Sequence, residues 1–103
     1  MRKNMTTFEG IGSGATVCMV SDRHAATIID MTETRITIQW DRATVVKGSV
    51  QDGSAEYEYA WNPGGIIEKY SLRKNGRWVL VGDSSNTGQR LLPGRSEYHD
   101  PHF

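Results

Sequence analysis

The sequence predicts an all-β fold: a small SH3-like or rolled barrel of six or seven short antiparallel strands, with little helix. Three observations predict it. Ile36, Ile38 and Trp40 fall on one side of the stretch from Arg35 to Asp41, and Arg35, Thr37, Gln39 and Asp41 on the other. That is the period of a strand with one face in a core and one in water. Similar short runs recur along the chain at barrel-like spacing, while no segment keeps a helical period. Glycine, proline and asparagine clusters separate the runs, and a closed sheet is the arrangement that leaves fewest exposed edges.

The elements follow in order. Gly10, Gly12 and Gly14 alternate before a first strand from Ala15 to Val20. Ser21-Asp22 reads as a turn, Arg23 to Met31 returns antiparallel, and Thr32-Glu33-Thr34 leads into a strand from Arg35 to Ala43, which completes a β-meander. Between Val46 and Ser54 the pattern weakens into a mobile loop. Alternation resumes with Tyr57, Tyr59 and Trp61 on one face, an aromatic ladder expected mostly in the core. Asn62-Pro63-Gly64-Gly65 is a strong turn before a strand from Ile66 to Leu72. Asn75-Gly76 predicts a two-residue hairpin with positive φ at both positions, followed by Trp78 to Val81. A polar loop, Gly82 to Gln89, precedes a short strand from Arg90 to Leu92. The chain reads as a single domain over 1–103, with a flexible segment at 1–9. A tail at 93–103 packs on the barrel or on a neighbouring subunit, anchored by Phe103.

Composition narrows the function. Twelve basic residues against twelve acidic ones in 103 leave no net field to draw in long nucleic acid or a membrane surface, so any anion site is local. No apolar run approaches the ~20 residues that span a bilayer. The N-terminus lacks the hydrophobic segment of a signal peptide, and the expected compartment is cytoplasmic. Cys18 is the single cysteine, in an apolar run, and reads as an inert buried thiol.

The apparent catalytic motifs fail on geometry. Ser21-Asp22-Arg23-His24 holds triad residue types, but contiguous side chains diverge and cannot align nucleophile, base and orienter. His99 and His102 make no closed metal shell. The glycines at 10–14 precede a strand, so the helix N-terminus that a phosphate loop uses is missing, which leaves a backbone anion nest as the alternative reading. No catalytic residue, metal or cofactor is therefore assigned. What remains is guanidinium and aromatic chemistry: Arg73, Arg77 and Trp78 around the Asn75-Gly76 turn, with Arg23, Arg90, Arg95 and Tyr98 as further ligand-binding candidates and Tyr59 as a second stacking ring. Such groups stack a base and clamp a phosphate.

Gly14-Ala-Thr-Val, Ser21-Asp-Arg-His-Ala-Ala-Thr-Ile-Ile29, Tyr57-Glu-Tyr59, Leu72-Arg-Lys-Asn-Gly-Arg-Trp78 and the block from Arg95 to Phe103 resemble, in this order, a widespread set of short phage and prophage proteins. The resemblance covers most of residues 10–103 and implies a viral accessory protein acting in a bacterial host. The size and the arginine-plus-aromatic chemistry are also similar to phage nucleotide sponges of the anti-Thoeris kind. That similarity implies a non-enzymatic, homo-oligomeric protein that sequesters a small nucleotide immune signal, and no site residue is carried over from it. The alternative is a protein-interaction module that inhibits or recruits a host protein through an exposed aromatic or β-edge surface. A hydrolase built around His24 or His99 is the third reading.

Overall fold

The computed structural model describes residues 8–51 and 54–98, which form eight strands and no helix. These are β1 (Gly14–Cys18), β2 (Arg23–Met31), β3 (Arg35–Trp40), β4 (Arg42–Lys47), β5 (Glu56–Ala60), β6 (Ile67–Leu72), β7 (Trp78–Leu80) and β8 (Arg90–Pro93). Six of them close an antiparallel barrel in the order β1-β2-β3-β6-β7-β8, with β8 paired back onto β1. The all-β small barrel read from the alternation is the fold.

The inward positions fill the barrel. Ala15, Val17, Ala26, Ile28, Ile36, Ile38, Tyr70 and Leu91 are buried, and Met19, Met31, Trp40, Trp78 and Leu80 pack against them. A register shift between Ile28 and Asp30 against β3 marks a bulge in β2, a common device for bending a sheet toward closure. Phe8 falls inside the segment expected to be flexible, yet it is buried, with its ring edge-on to Trp78 at 5.7 Å. An apolar ring beside an uncovered part of the core gains by docking there; residues 1–7 lie outside the described residues.

Several expectations are corrected by what the chain packs against. The strand expected to run to Ala43 leaves the barrel at Asp41. There the carboxylate accepts from Thr27 Oγ1 at 2.6 Å and from Arg95 Nε at 2.8 Å, and the backbone N–H donates to the Ala25 carbonyl. From that anchor β4 and β5 pair only with each other, as a separate two-stranded arm. The Tyr57–Trp61 ladder therefore stands outside the barrel core: Tyr57 and Tyr59 are half-buried, and Trp61 is 59% exposed. Gln39, expected in water, is 5% exposed because the 61–65 turn folds over it. Its amide donates to the carbonyls of Pro63 and Gly65 at 3.0 and 3.2 Å, and its oxygen accepts from Trp61 Nε1 at 2.8 Å. Gly65 allows that approach, since a Cβ there would lie 2.2 Å from the Trp40 carbonyl oxygen. The Asn75-Gly76 connection is a three-residue loop. Gly76 N–H donates to Arg73 C=O, only Gly76 has positive φ (84°), and Asn75 Oδ1 accepts from Arg77 N–H.

The described part of the tail packs on its own barrel. Residues 95–98 run beside the start of β2, in the place that β3 vacates, with reciprocal backbone bonds between Arg23 and Tyr98 at 2.8 and 2.9 Å. Glu97, its side chain 5% exposed, accepts from Ala25 N–H at 2.8 Å and pairs with His24 Nδ1 at 2.9 Å. His99, His102 and Phe103 lie outside the described residues.

Burial raises the Tyr70 hydroxyl well above the usual tyrosine value of 10.0. Below that value folded and unfolded chains both hold the proton; above it only the unfolded chain has lost it. Stability is thus constant with respect to this group at neutral pH and falls above pH ~10, by up to about 1.4 kcal/mol per pH unit. Denaturant midpoints between pH 9 and 12 should show the decline, and Tyr70→Phe should reduce it, leaving the smaller share of Tyr57 and Tyr59, whose hydroxyls burial also raises.

Candidate functional site

Strand register assembles the site. On β1, Cys18 stands opposite Arg23 of β2 on one side and Arg90 of β8 on the other, and Arg90 stands opposite Val79 of β7. Residues opposite one another share a sheet face, so the row Arg23–Cys18–Arg90 crosses three strands on the outside of the barrel and ends on Val79 of β7, which is buried. With strands ~4.8 Å apart, the Arg23 and Arg90 backbones are about 10 Å from each other, astride the thiol. Among the described residues the guanidinium groups of Arg23 and Arg90 have no hydrogen-bond or ion-pair partner. A guanidinium carries five donors and a fixed charge, so these two are open to an anion.

Two open clefts flank this row, of about 450 and 470 Å³, with Cys18, Met19, Val20 and Arg90 common to both. Those volumes fall within the ~300–1,000 Å³ of small-molecule sites. The first is walled by Arg77 and by the 83–89 loop, where Asn86 and Thr87 add polar groups. The second is walled by Arg23, Leu92 and Tyr98. A third, smaller hollow of about 280 Å³ shares Arg77 and Arg90 with the first, and its floor is apolar, with Trp78, Phe8 and Pro93. Arg90 borders all three. Three guanidiniums face two carboxylates, Asp22 and Asp83, in the lining, so the local balance is cationic although the chain is neutral.

The walls are held by specific bonds. Met19 N–H donates to Asp22 C=O at 2.9 Å and closes the β1–β2 turn. In the 83–89 loop, Asp83 Oδ2 accepts from Gln89 N–H at 3.0 Å and Gly88 N–H donates to Ser84 C=O at 2.8 Å. Arg73 ties that loop to the barrel: its guanidinium donates to Ser71 Oγ, Asp83 C=O, Ser85 Oγ and Leu80 C=O at 2.8–3.0 Å. Burial pushes the Cys18 thiol up from its ordinary value, against the smaller opposite pull of Arg23 and Arg90. The floor of the clefts is therefore a neutral thiol.

Of the seven ligand-binding residues expected from sequence, Arg23, Arg77, Arg90 and Tyr98 share the two adjoining clefts, and Trp78 joins them through the third. The other two are engaged elsewhere. Arg73 is the strut of the 83–89 loop, and Arg95 pairs with the buried Asp41 at 2.8 Å and donates to Thr27 Oγ1 at 3.0 Å. Tyr59 lies on the arm, next to Glu97. In the glycine-rich segment Gly12 N–H donates to Ile28 C=O and Ser13 N–H to Gly10 C=O, so neither of these two groups is open to an anion. Sequence reasoning missed Cys18 as a floor residue and the 83–89 loop as a wall; register alone reveals the first, and no sequence signal marks the second.

A second polar cluster closes one end of the barrel from inside. Glu68 Oε1 accepts from Trp40 Nε1 at 2.8 Å, Tyr70 OH at 3.1 Å and Gln89 Nε2 at 3.2 Å, and Gln89 also donates to Tyr70 OH at 2.8 Å. His24 stacks on Trp40 at 4.4 Å. Among the described residues no group of acidic, histidine and cysteine side chains could hold a metal ion, and no helix is long and apolar enough to cross a membrane. No family model, curated protein or solved structure matches this chain.

Proposed function

We propose that this chain is a non-enzymatic binding protein that holds a small phosphate-bearing, nucleotide-like ligand on the outer face of β2, β1 and β8. The observation that carries the reading is the row Arg23–Cys18–Arg90, two guanidiniums without a protein partner among the described residues, of which Arg90 borders all three clefts and Arg23 one. Arg90 and Arg77 together form the wall between a polar cleft and an apolar one. A phosphate on the polar side and a flat ring against Trp78 on the other match that division, and Tyr98 offers a second flat surface across Arg90. Charge-assisted bonds in partly enclosed clefts bind such a group without any net protein charge. The resemblance to short phage proteins supports the setting, an accessory protein in a bacterial cytoplasm, and the similarity to phage nucleotide sponges supports sequestration of a nucleotide immune signal that is returned chemically unchanged.

Calorimetric titration with AMP, ADP, 3′,5′-cyclic AMP and adenosine tests the reading. The phosphorylated compounds should bind, with affinity falling as salt rises, and adenosine should not. Nucleotide released by heat denaturation should be intact. Equal binding of adenosine, or hydrolysis of the nucleotide, overturns the proposal.

A further inference from the structure

We infer that the β4–β5 arm is the assembly surface of this protein, and that a second copy of the chain adds its β5 edge to the β4 edge, head to tail. This does not depend on the identity of any ligand.

The arm is an insertion. β3 and β6 pair directly in the barrel, and the chain between them departs at Asp41 and returns at Ile67. Closure leaves the barrel without a free edge, whereas the arm has two, because each of its strands pairs only with the other among the described residues. A two-stranded sheet alone is marginal in water, and an open strand edge is a template for another strand. The exposed surface fits that role: β4 is open on nearly its whole length, with Val45 41% and Val46 55% exposed. β-branched residues so placed gain by burial under a neighbouring strand.

Charge selects the neighbour. β4 carries Arg42 and Lys47 and no acid; β5 carries Glu56 and Glu58 and no base. A twofold pairing of β4 with β4 sets Arg42 against Lys47 of the other copy, and a twofold pairing of β5 with β5 sets Glu58 against itself. Like charges directly opposite are destabilising. Pairing β4 with β5 of a second copy repeats the arm's own register, in which Lys47 stands against Glu56 and Thr44 against Glu58, and brings opposite charges together. It also continues the face that carries Ala43, Val45, Tyr57 and Tyr59. Such a contact is heterologous: each copy keeps one unused edge, so the assembly grows past a dimer until it closes.

Two measurements decide it, both on the full chain. Sedimentation velocity should give a species larger than a dimer that breaks down as salt rises. In a Cys18→Ser background, a Thr44→Cys copy and a Glu58→Cys copy should form an oxidised cross-link when mixed, and neither should do so alone. Thr44 and Glu58 are both exposed, so the introduced cysteines do not put the fold at stake, and Cys18→Ser is a near-isosteric change at a half-buried position. Cross-linking of the Glu58→Cys variant with itself shows a twofold β5 contact and overturns the inference. A monomer with no cross-link in the mixture also overturns it, and leaves the edge to a partner of another kind.

Discussion

Arg90→Ala is expected to weaken nucleotide binding by about tenfold to a hundredfold while leaving the barrel folded, because a charge-assisted bond to phosphate contributes about 1.5–3 kcal/mol. Arg90 is singled out over its neighbours by position. It borders all three clefts, whereas Arg23 and Arg77 border one and two. Among the described residues its guanidinium has no hydrogen-bond or ion-pair partner, while that of Arg77 donates to Asn86 C=O at 3.1 Å. Arg90→Lys should fall between wild type and alanine, since it keeps the charge and loses the planar fork. Arg95→Ala provides the opposite pattern. It strips the partner from Asp41, whose side chain is 1% exposed, so it should cost about 1–3 kcal/mol of stability and leave affinity unchanged. Calorimetry and urea denaturation on the same variants separate the two effects. An unchanged affinity in Arg90→Ala places the ligand elsewhere.

The contrast between Arg90 and Arg95 also marks what could be read from the chain alone. Period-two alternation gave the strands, because it depends only on which side of each strand faces apolar neighbours. It did not distinguish a strand in the barrel from one in the arm: Glu56–Ala60 alternates as strictly as Arg35–Trp40, yet only the second lines the core. That difference depends on closure between β3 and β6, a pairing across the arm that no local pattern encodes. The arginines were legible as a class and illegible as individuals. Arg73 and Arg90 look alike in sequence; the first is spent on four acceptors in and beside a loop ten residues on, and the second projects into open clefts. Which acceptors lie within reach is decided by strand register and loop packing. Gln39 makes the same point from the polar side. An amide on the outer face of a strand is expected in water until a turn folds over it and supplies two carbonyls and an indole.

Glu68→Leu is expected to destabilise the fold by about 3–5 kcal/mol, an effect of the size that unmade buried hydrogen bonds produce. The carboxylate is the shared acceptor for Trp40 Nε1, Tyr70 OH and the Gln89 amide at the end of the barrel. Leucine fills much of the volume and offers no acceptor. The indole N–H is then left without its carboxylate acceptor, while Tyr70 and Gln89 keep the 2.8 Å bond between them. Glu68→Gln should cost less, about 1–2 kcal/mol: one oxygen still serves the indole, but its new amide donors face the Gln89 amide, which is also a donor. The order wild type, glutamine, leucine in urea midpoints is the test. The effect should reach the ligand face as well, because Gln89 follows Gly88 in the cleft wall and precedes Arg90 at its centre. A destabilised Glu68→Leu chain, measured below its unfolding transition, should therefore bind nucleotide more weakly than its folded fraction alone accounts for. If affinity per folded molecule is unchanged, the barrel end and the clefts are mechanically independent, and the Gln89 backbone is held in place by Asp83 Oδ2 on its N–H and Leu80 N–H on its carbonyl.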